Sequence, residues 1–168
     1  MKKWIISVVA LLLIFLIWQS VSVYNHTFKT QEKVESKMEK TVKEKANLKS
    51  VSSITTYYGD ETYYVGRGKT KKNEKVIVWM PKNQKKHDMI VKKVSQGITK
   101  KEVKEKVQAD KNPEEIKSIR LGVTKDDQTN KEYPAWEVTY VDSENRFTYY
   151  YVAFETGKFT KLYRLYQS

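Results

Sequence analysis

An unbroken run of uncharged residues, Trp4 to Tyr24, constrains this chain more than any other feature. Its core, Ile5 to Ile17, is nearly all Ile, Leu, Val and Phe. A helix of ~20 such residues, rising ~1.5 Å each, crosses a hydrocarbon core of ~30 Å. Trp4 and Trp18 bracket the run at the depth that indole rings prefer. Lys2 and Lys3 precede it, which by the positive-inside rule places the N-terminus in the cytoplasm. Residues 1–24 are therefore read as a retained single-pass anchor, with the chain from 25 onward extracytoplasmic. A cleaved signal peptide is the competing reading, because Ser20-Val21-Ser22 offers small residues at cleavage spacing. The long apolar core and the bulky Trp18-Gln19 beside that site favour retention.

The length, 168 residues, suits one domain or two small ones. Absence of cysteine excludes a disulfide framework, a thiolate metal site, a Cys nucleophile and a lipid anchor on Cys. The 12 Tyr, 5 Phe and 4 Trp supply enough apolar surface to order a chain that is otherwise rich in charge. The net charge of +12 is concentrated in the first half, where nine lysines lie between Lys69 and Lys93. Such a balance suits solubility, anionic lipid headgroups or anionic wall polymers. Nucleic acid is excluded by the topology, which puts the domain on the wrong side of the membrane.

Two helix-then-meander halves follow the anchor. Residues 27–49 contain no Pro or Gly, and Val34, Met38, Val42 and Ala46 recur at helical spacing. This predicts a helix of ~34 Å that either packs its narrow stripe on the next sheet or acts as a stalk. Strands are predicted at Val51–Tyr58, Tyr63–Thr70, Val76–Met80 and Met89–Val94, with Gly66 and Gly68 marking a bulge or close approach. In the second half, Thr99 and Glu102 form a capping box flanked by Ile98 and Val103 as a staple, and Asn112-Pro113 stops the helix. Strands follow around Ile119–Val123, Trp136–Tyr140, Phe147–Phe154 and Phe159–Tyr166. An offset of 73 residues superposes Tyr63-Tyr64-Val65 on Trp136-Glu137-Val138, so the halves read as distant copies over 25–95 and 96–168. Trp79 and Trp136 are expected in the cores of separate meanders. The fold class is α+β: a transmembrane helix, then two small subdomains of one helix and an antiparallel sheet.

The helix at 99–110, the strands around Ala135-Trp136-Glu137-Val138 and Tyr149-Tyr150-Tyr151-Val152, and the terminal Glu155-Thr156-Gly157-Lys158 resemble a PepSY domain. With the N-terminal anchor, the Lys/Glu helix and the meander from Tyr57-Tyr58-Gly59-Asp60 to Trp79, nearly the whole chain resembles the YpmB/TseB-like family of Gram-positive bacteria. That resemblance implies two cystatin-like or PepSY-like subdomains outside the membrane. It also implies a non-enzymatic role in regulating cell-wall elongation through a penicillin-binding transpeptidase. The first half has Pro81-Lys82-Asn83 where the second has its Thr-Gly turn.

The residues themselves carry no catalytic, metal or cofactor motif. Gly66-Arg67-Gly68 lacks the rest of a phosphate loop, Asp126-Asp127 lacks the spacing of a Ca²⁺ loop, and His87-Asp88 reads as a surface turn. Protein binding is the expected activity. Whichever of Tyr57, Tyr58, Tyr63, Tyr64, Tyr149, Tyr150 and Tyr151 are exposed are the expected contact residues, because tyrosine is enriched at interfaces. Modulation of an extracytoplasmic protease and charge-driven binding of anionic wall polymers are the alternatives.

Overall fold

The computed structural model describes residues 34–165 together with Phe15, Trp18 and Gln19. Apart from those three residues, the expected membrane segment lies outside the described residues. None of the described helices is long and apolar enough to cross a membrane.

The first helix, α1, covers residues 34–45 and ends at Asn47, whose left-handed backbone (φ 50°) turns the chain into the first sheet. Leu48 and Lys49, expected at the end of the helix, open the first strand instead. That strand, β1 (Leu48–Tyr58), is followed by β2 (Thr62–Thr70), β3 (Lys75–Pro81) and β4 (Ile90–Lys93), in the order β1-β2-β3-β4. A short 3₁₀ turn at Val94–Gln96 leads to α2 (Lys100–Lys111). The second sheet repeats the plan with β5 (Glu115–Lys125), β6 (Glu132–Val141), β7 (Phe147–Ala153) and β8 (Phe159–Leu165), in the order β5-β6-β7-β8. All pairs are antiparallel.

The start of α2 follows the capping rule. Thr99 Oγ1 accepts from Glu102 N, the Glu102 carboxylate accepts from Thr99 N at 2.7 Å, and Asn112 closes the helix in the left-handed region. The stripe on α1 packs onto one face of the first sheet. Val42 is fully buried there among Leu48, Tyr64, Val76, Val78 and Met80, with Met38 and Ala46 alongside. Gly66 makes this approach possible, since a Cβ on it would stand 2.9 Å from Ile54 Cδ1 and 3.1 Å from Val42 Cγ1. The bulge lies on β1, whose register shifts between Val51 and Ser53 opposite Gly68 and Arg67.

The opposite face of the first sheet joins the inner face of the second in one core. Tyr63, Val65, Ile77 and Trp79 meet Leu121, Trp136, Val138, Tyr150 and Val152, with Val103 and Val107 of α2 closing the cluster. Trp79 and Trp136 thus belong to separate meanders, as expected, and share one core. The Trp79 and Phe154 rings meet edge to face at 5.3 Å. The reason lies in size: a unit of about 70 residues buries too little surface alone. The 73-residue offset matches β2 to β6 strand for strand. On the next strand the register places Tyr150 opposite Val138 as Trp79 stands opposite Val65, two residues from that offset, with inward and outward faces preserved.

The indole N–H of Trp136 donates to the Ile98 carbonyl at 3.0 Å, whereas the Trp79 indole N–H has no acceptor among the described residues. Trp136→Phe is therefore expected to cost about 1 kcal/mol more than Trp79→Phe beyond volume loss, measured by denaturant unfolding. Either Trp→Ala change should cost ~3–5 kcal/mol and lower a single transition. A second test concerns acid. Tyr150 Oη donates to Asp110 at 2.7 Å and Lys106 Nζ lies 3.2 Å away; these bonds hold the Asp110 carboxyl below the usual range. Stability from a depressed carboxyl is present above its unfolded value and lost as pH falls through the folded one. Asp110→Asn should shrink the fall in melting temperature on acidification below about pH 4.

Candidate partner-binding face

The two sheets differ in what covers their outer faces. α1 lies over the first, but no helix among the described residues covers the second. Strand alternation turns Phe147, Tyr149 and Tyr151 of β7 to this uncovered face and Tyr150 to the core. Register sets Leu165, Tyr163 and Lys161 of β8 beside them in that order, and Thr139 and Glu137 of β6 beside Tyr149 and Tyr151. Tyr163 is 49% exposed, Leu165 53% and Phe147 36%, an apolar concentration unusual for a solvated sheet face.

A buried carboxylate organises one end of the face. Glu137, only 2% exposed, accepts on Oε2 from Tyr57 Oη (2.9 Å) and Tyr151 Oη (2.8 Å). Its Oε1 accepts from Arg120 Nε (3.1 Å) and Nη2 (2.5 Å). Arg120 also stacks its guanidinium over the Tyr57 ring, 5.7 Å from the centroid. Four donors on one carboxylate are what a buried charge requires. Burial and the adjacent Glu137 charge push the Tyr57 and Tyr151 hydroxyls well above the usual phenol range, which keeps them protonated as donors.

Tyr57 reaches Glu137 from the other sheet by lying across β5 at Gly122. A Cβ on Gly122 would stand 2.3 Å from the ring, so only glycine fits. The following Tyr58, 63% exposed, is carried to the rim of a hollow of about 330 Å³ beside Tyr149, Tyr151 and Tyr163. Lys161 spans it, 5.3 Å from both the Tyr151 and Tyr163 centroids and 3.9 Å from Asp60. The hollow thus combines aromatic walls with a cation and an exposed carboxylate, Asp60, on the rim. Such a site suits recognition, with one end apolar and the other wet.

The seven tyrosines singled out by sequence divide accordingly. Tyr57, Tyr63, Tyr64 and Tyr150 are buried, which leaves Tyr58, Tyr149 and Tyr151 as surface candidates, and all three border the one hollow. Tyr63 donates to Glu132 at 2.8 Å, and Tyr64 packs under α1. Sequence reasoning missed Tyr163, Lys161, Arg120 and Glu137. Alternation alone assigns Glu137 to solvent; its burial depends on Tyr57 arriving from a distant strand. His87 lies in the turn after β3, as expected, and is also paired: Nδ1 lies 3.0 Å from Glu132 and Nε2 3.4 Å from Glu61, because the loop after β3 folds onto the start of β6. Asp126 caps its own turn through the Gln128 and Thr129 amides. No cluster of three or more metal-ligating groups occurs among the described residues.

Two family models match the chain. One, the cell wall elongation regulator TseB-like domain, covers residues 39–81; the other, the PepSY model described as peptidase propeptide and YPEB domain, covers 97–163. A Bacillus subtilis (strain 168) protein described as a probable cell wall elongation regulator TseB is 32% identical over 166 residues, spanning 95% of this chain and 96% of the relative. The chain belongs to the TseB-like family. The solved structure of the YpmB protein from Bacillus subtilis superposes with a TM-score of 0.64 at 29% identity, covering 73% of this chain and 91% of that one. This member of the TseB-like family therefore shares the two-sheet α+β fold of a solved relative.

The joint at Gly122 can be tested by a double-mutant cycle. Gly122→Ala is expected to cost ~1–3 kcal/mol through overpacking. In a Tyr57→Leu background most of that penalty should vanish, because the clashing ring is gone. Equal penalties in both backgrounds, measured by urea unfolding, would contradict the crossing.

Proposed function

We propose that this TseB-like protein is a single-pass, membrane-anchored, extracytoplasmic regulator of cell-wall elongation that acts by binding a penicillin-binding transpeptidase, without chemistry of its own. In this reading residues 1–24 anchor the chain with the N-terminus in the cytoplasm, and two units, 25–95 and 96–168, stand outside. The observation that carries it is the uncovered aromatic face of the second sheet, set in a chain homologous to a probable cell wall elongation regulator. The uncharged run from Trp4 to Tyr24 supports the anchor. Tethering raises the effective concentration toward other anchored proteins, so a modest face can suffice. Tyr58, Tyr149, Tyr151 and Tyr163 are the contact residues in this account, and the lysine-rich first half aids encounter.

The description of the second family model as a peptidase propeptide domain favours a second reading, modulation of an extracytoplasmic protease. One experiment separates the two. A full-length Tyr58→Ser/Tyr163→Ser variant is expressed in a deletion strain, with photo-crosslinking from position 149 in the wild-type background. The account expects crosslinks to a penicillin-binding transpeptidase and, for the variant, wild-type abundance in the membrane without restoration of elongation. Crosslinks to a protease would favour the second reading. Full restoration by the variant, or turnover of a wall substrate by the purified protein, would contradict the proposal.

A further inference from the structure

A second cavity of about 390 Å³ opens on the other side of Tyr57, lined by residues of the two edge strands β1 and β5. β1 pairs only with β2 and β5 only with β6, so each presents an unpaired row of backbone groups along its free side. The floor is apolar and comes from three strands: Val65 of β2, Leu121 of β5 and Trp136 of β6. The rim is cationic and comes from three elements: Arg67 of β2, Lys100 at the start of α2 and Arg120 of β5. No carboxylate lines the cavity. Arg120 is held by Glu137, but the Arg67 and Lys100 side chains have no ion-pair or hydrogen-bond partner among the described residues.

We propose that this cavity binds an extended acidic segment of a partner protein, inserting one bulky apolar side chain onto Trp136 and Leu121 while flanking Asp or Glu residues meet Arg67 and Lys100. Charge complementarity selects the anionic flanks, because two unpaired cations from different elements converge on a cavity without a carboxylate. The two open strand edges select an extended backbone, which can add its amide and carbonyl groups to an unpaired row while alternate side chains point in and out. The volume selects the depth of insertion, since about 390 Å³ holds one or two side chains and no folded element. This site is distinct from the aromatic face, from which the Tyr57 ring and Arg120 separate it.

The test is selection of a displayed library of short random peptides on the full-length protein in detergent micelles. It is followed by fluorescence anisotropy of the enriched peptides against wild type and three variants: Arg67→Glu/Lys100→Glu, the milder Arg67→Gln/Lys100→Gln, and Lys71→Glu as a charge control in the β2–β3 turn. Poly(glycerol phosphate) serves as competitor. Enriched peptides are expected to carry a bulky apolar residue flanked by Asp or Glu. Their affinity should fall about tenfold or more in the reversal pair, less in the neutral pair and little in Lys71→Glu. Tyr58→Ser/Tyr163→Ser should leave it unchanged. No enrichment, enrichment of basic peptides, or affinity indifferent to both double variants would overturn the proposal. So would poly(glycerol phosphate) binding as tightly with the same variant sensitivity, which would assign the cations to a wall polymer. The neutral pair keeps the result decisive if the charge reversals lower the melting temperature.

Discussion

The contact on which the rest of the structure depends is the reach of Tyr57 across Gly122 to the buried carboxylate of Glu137. It joins the last residues of β1 to the outer face of the second sheet while the inner faces share one core. A buried carboxylate would be prohibitive unless every lone pair were used. Here Arg120, Tyr57 and Tyr151 use them, and they come from two sheets. Neither sheet can supply the set alone, so the relative placement of β1 on β5 is fixed by hydrogen bonds as well as by apolar packing. The same placement separates the aromatic hollow from the cationic cavity, because one ring stands between them.

The halves are copies in plan but differ in how their outer faces are covered. The first sheet's outer face is covered by α1, whose Met38, Val42 and Ala46 pack against it. The second takes its helix on the inner side, where Val103 and Val107 complete the common core. That leaves Phe147, Tyr149, Tyr163 and Leu165 without an intramolecular cover among the described residues. In the proposed reading, one half is packed for stability and the other is left open for contact.

Much of this was legible in the sequence because local rules dominate it. The capping box at Thr99 and Glu102, the Asn112 stop and the alternation through Tyr149, Tyr150 and Tyr151 are short-range signals that no distant residue overrides. The strands of both meanders could be placed for the same reason. What could not be read was whatever depends on chain segments far apart. Glu137 stands between two core residues on an alternating strand and reads as solvent-facing until a tyrosine from 80 residues away is laid over it. His87 reads as a surface turn, but its pairing with Glu132, 45 residues on, is a long-range contact that the turn does not reveal. Burial of Tyr63, Tyr64 and Tyr150 is likewise a tertiary fact: a strand tyrosine declares its face but not what covers that face.

The proposed docking face is the uncovered side of the second sheet. Hydrogen–deuterium exchange of the full-length protein in lipid bilayers, with and without a co-reconstituted penicillin-binding transpeptidase, tests it most directly. Partner-dependent protection is predicted in β7, β8 and the turn after Tyr58, with α1 and the β3–β4 loop unchanged. Protection confined to α1 or to the lysine-rich loop, or no protection at all with an active transpeptidase present, would contradict it.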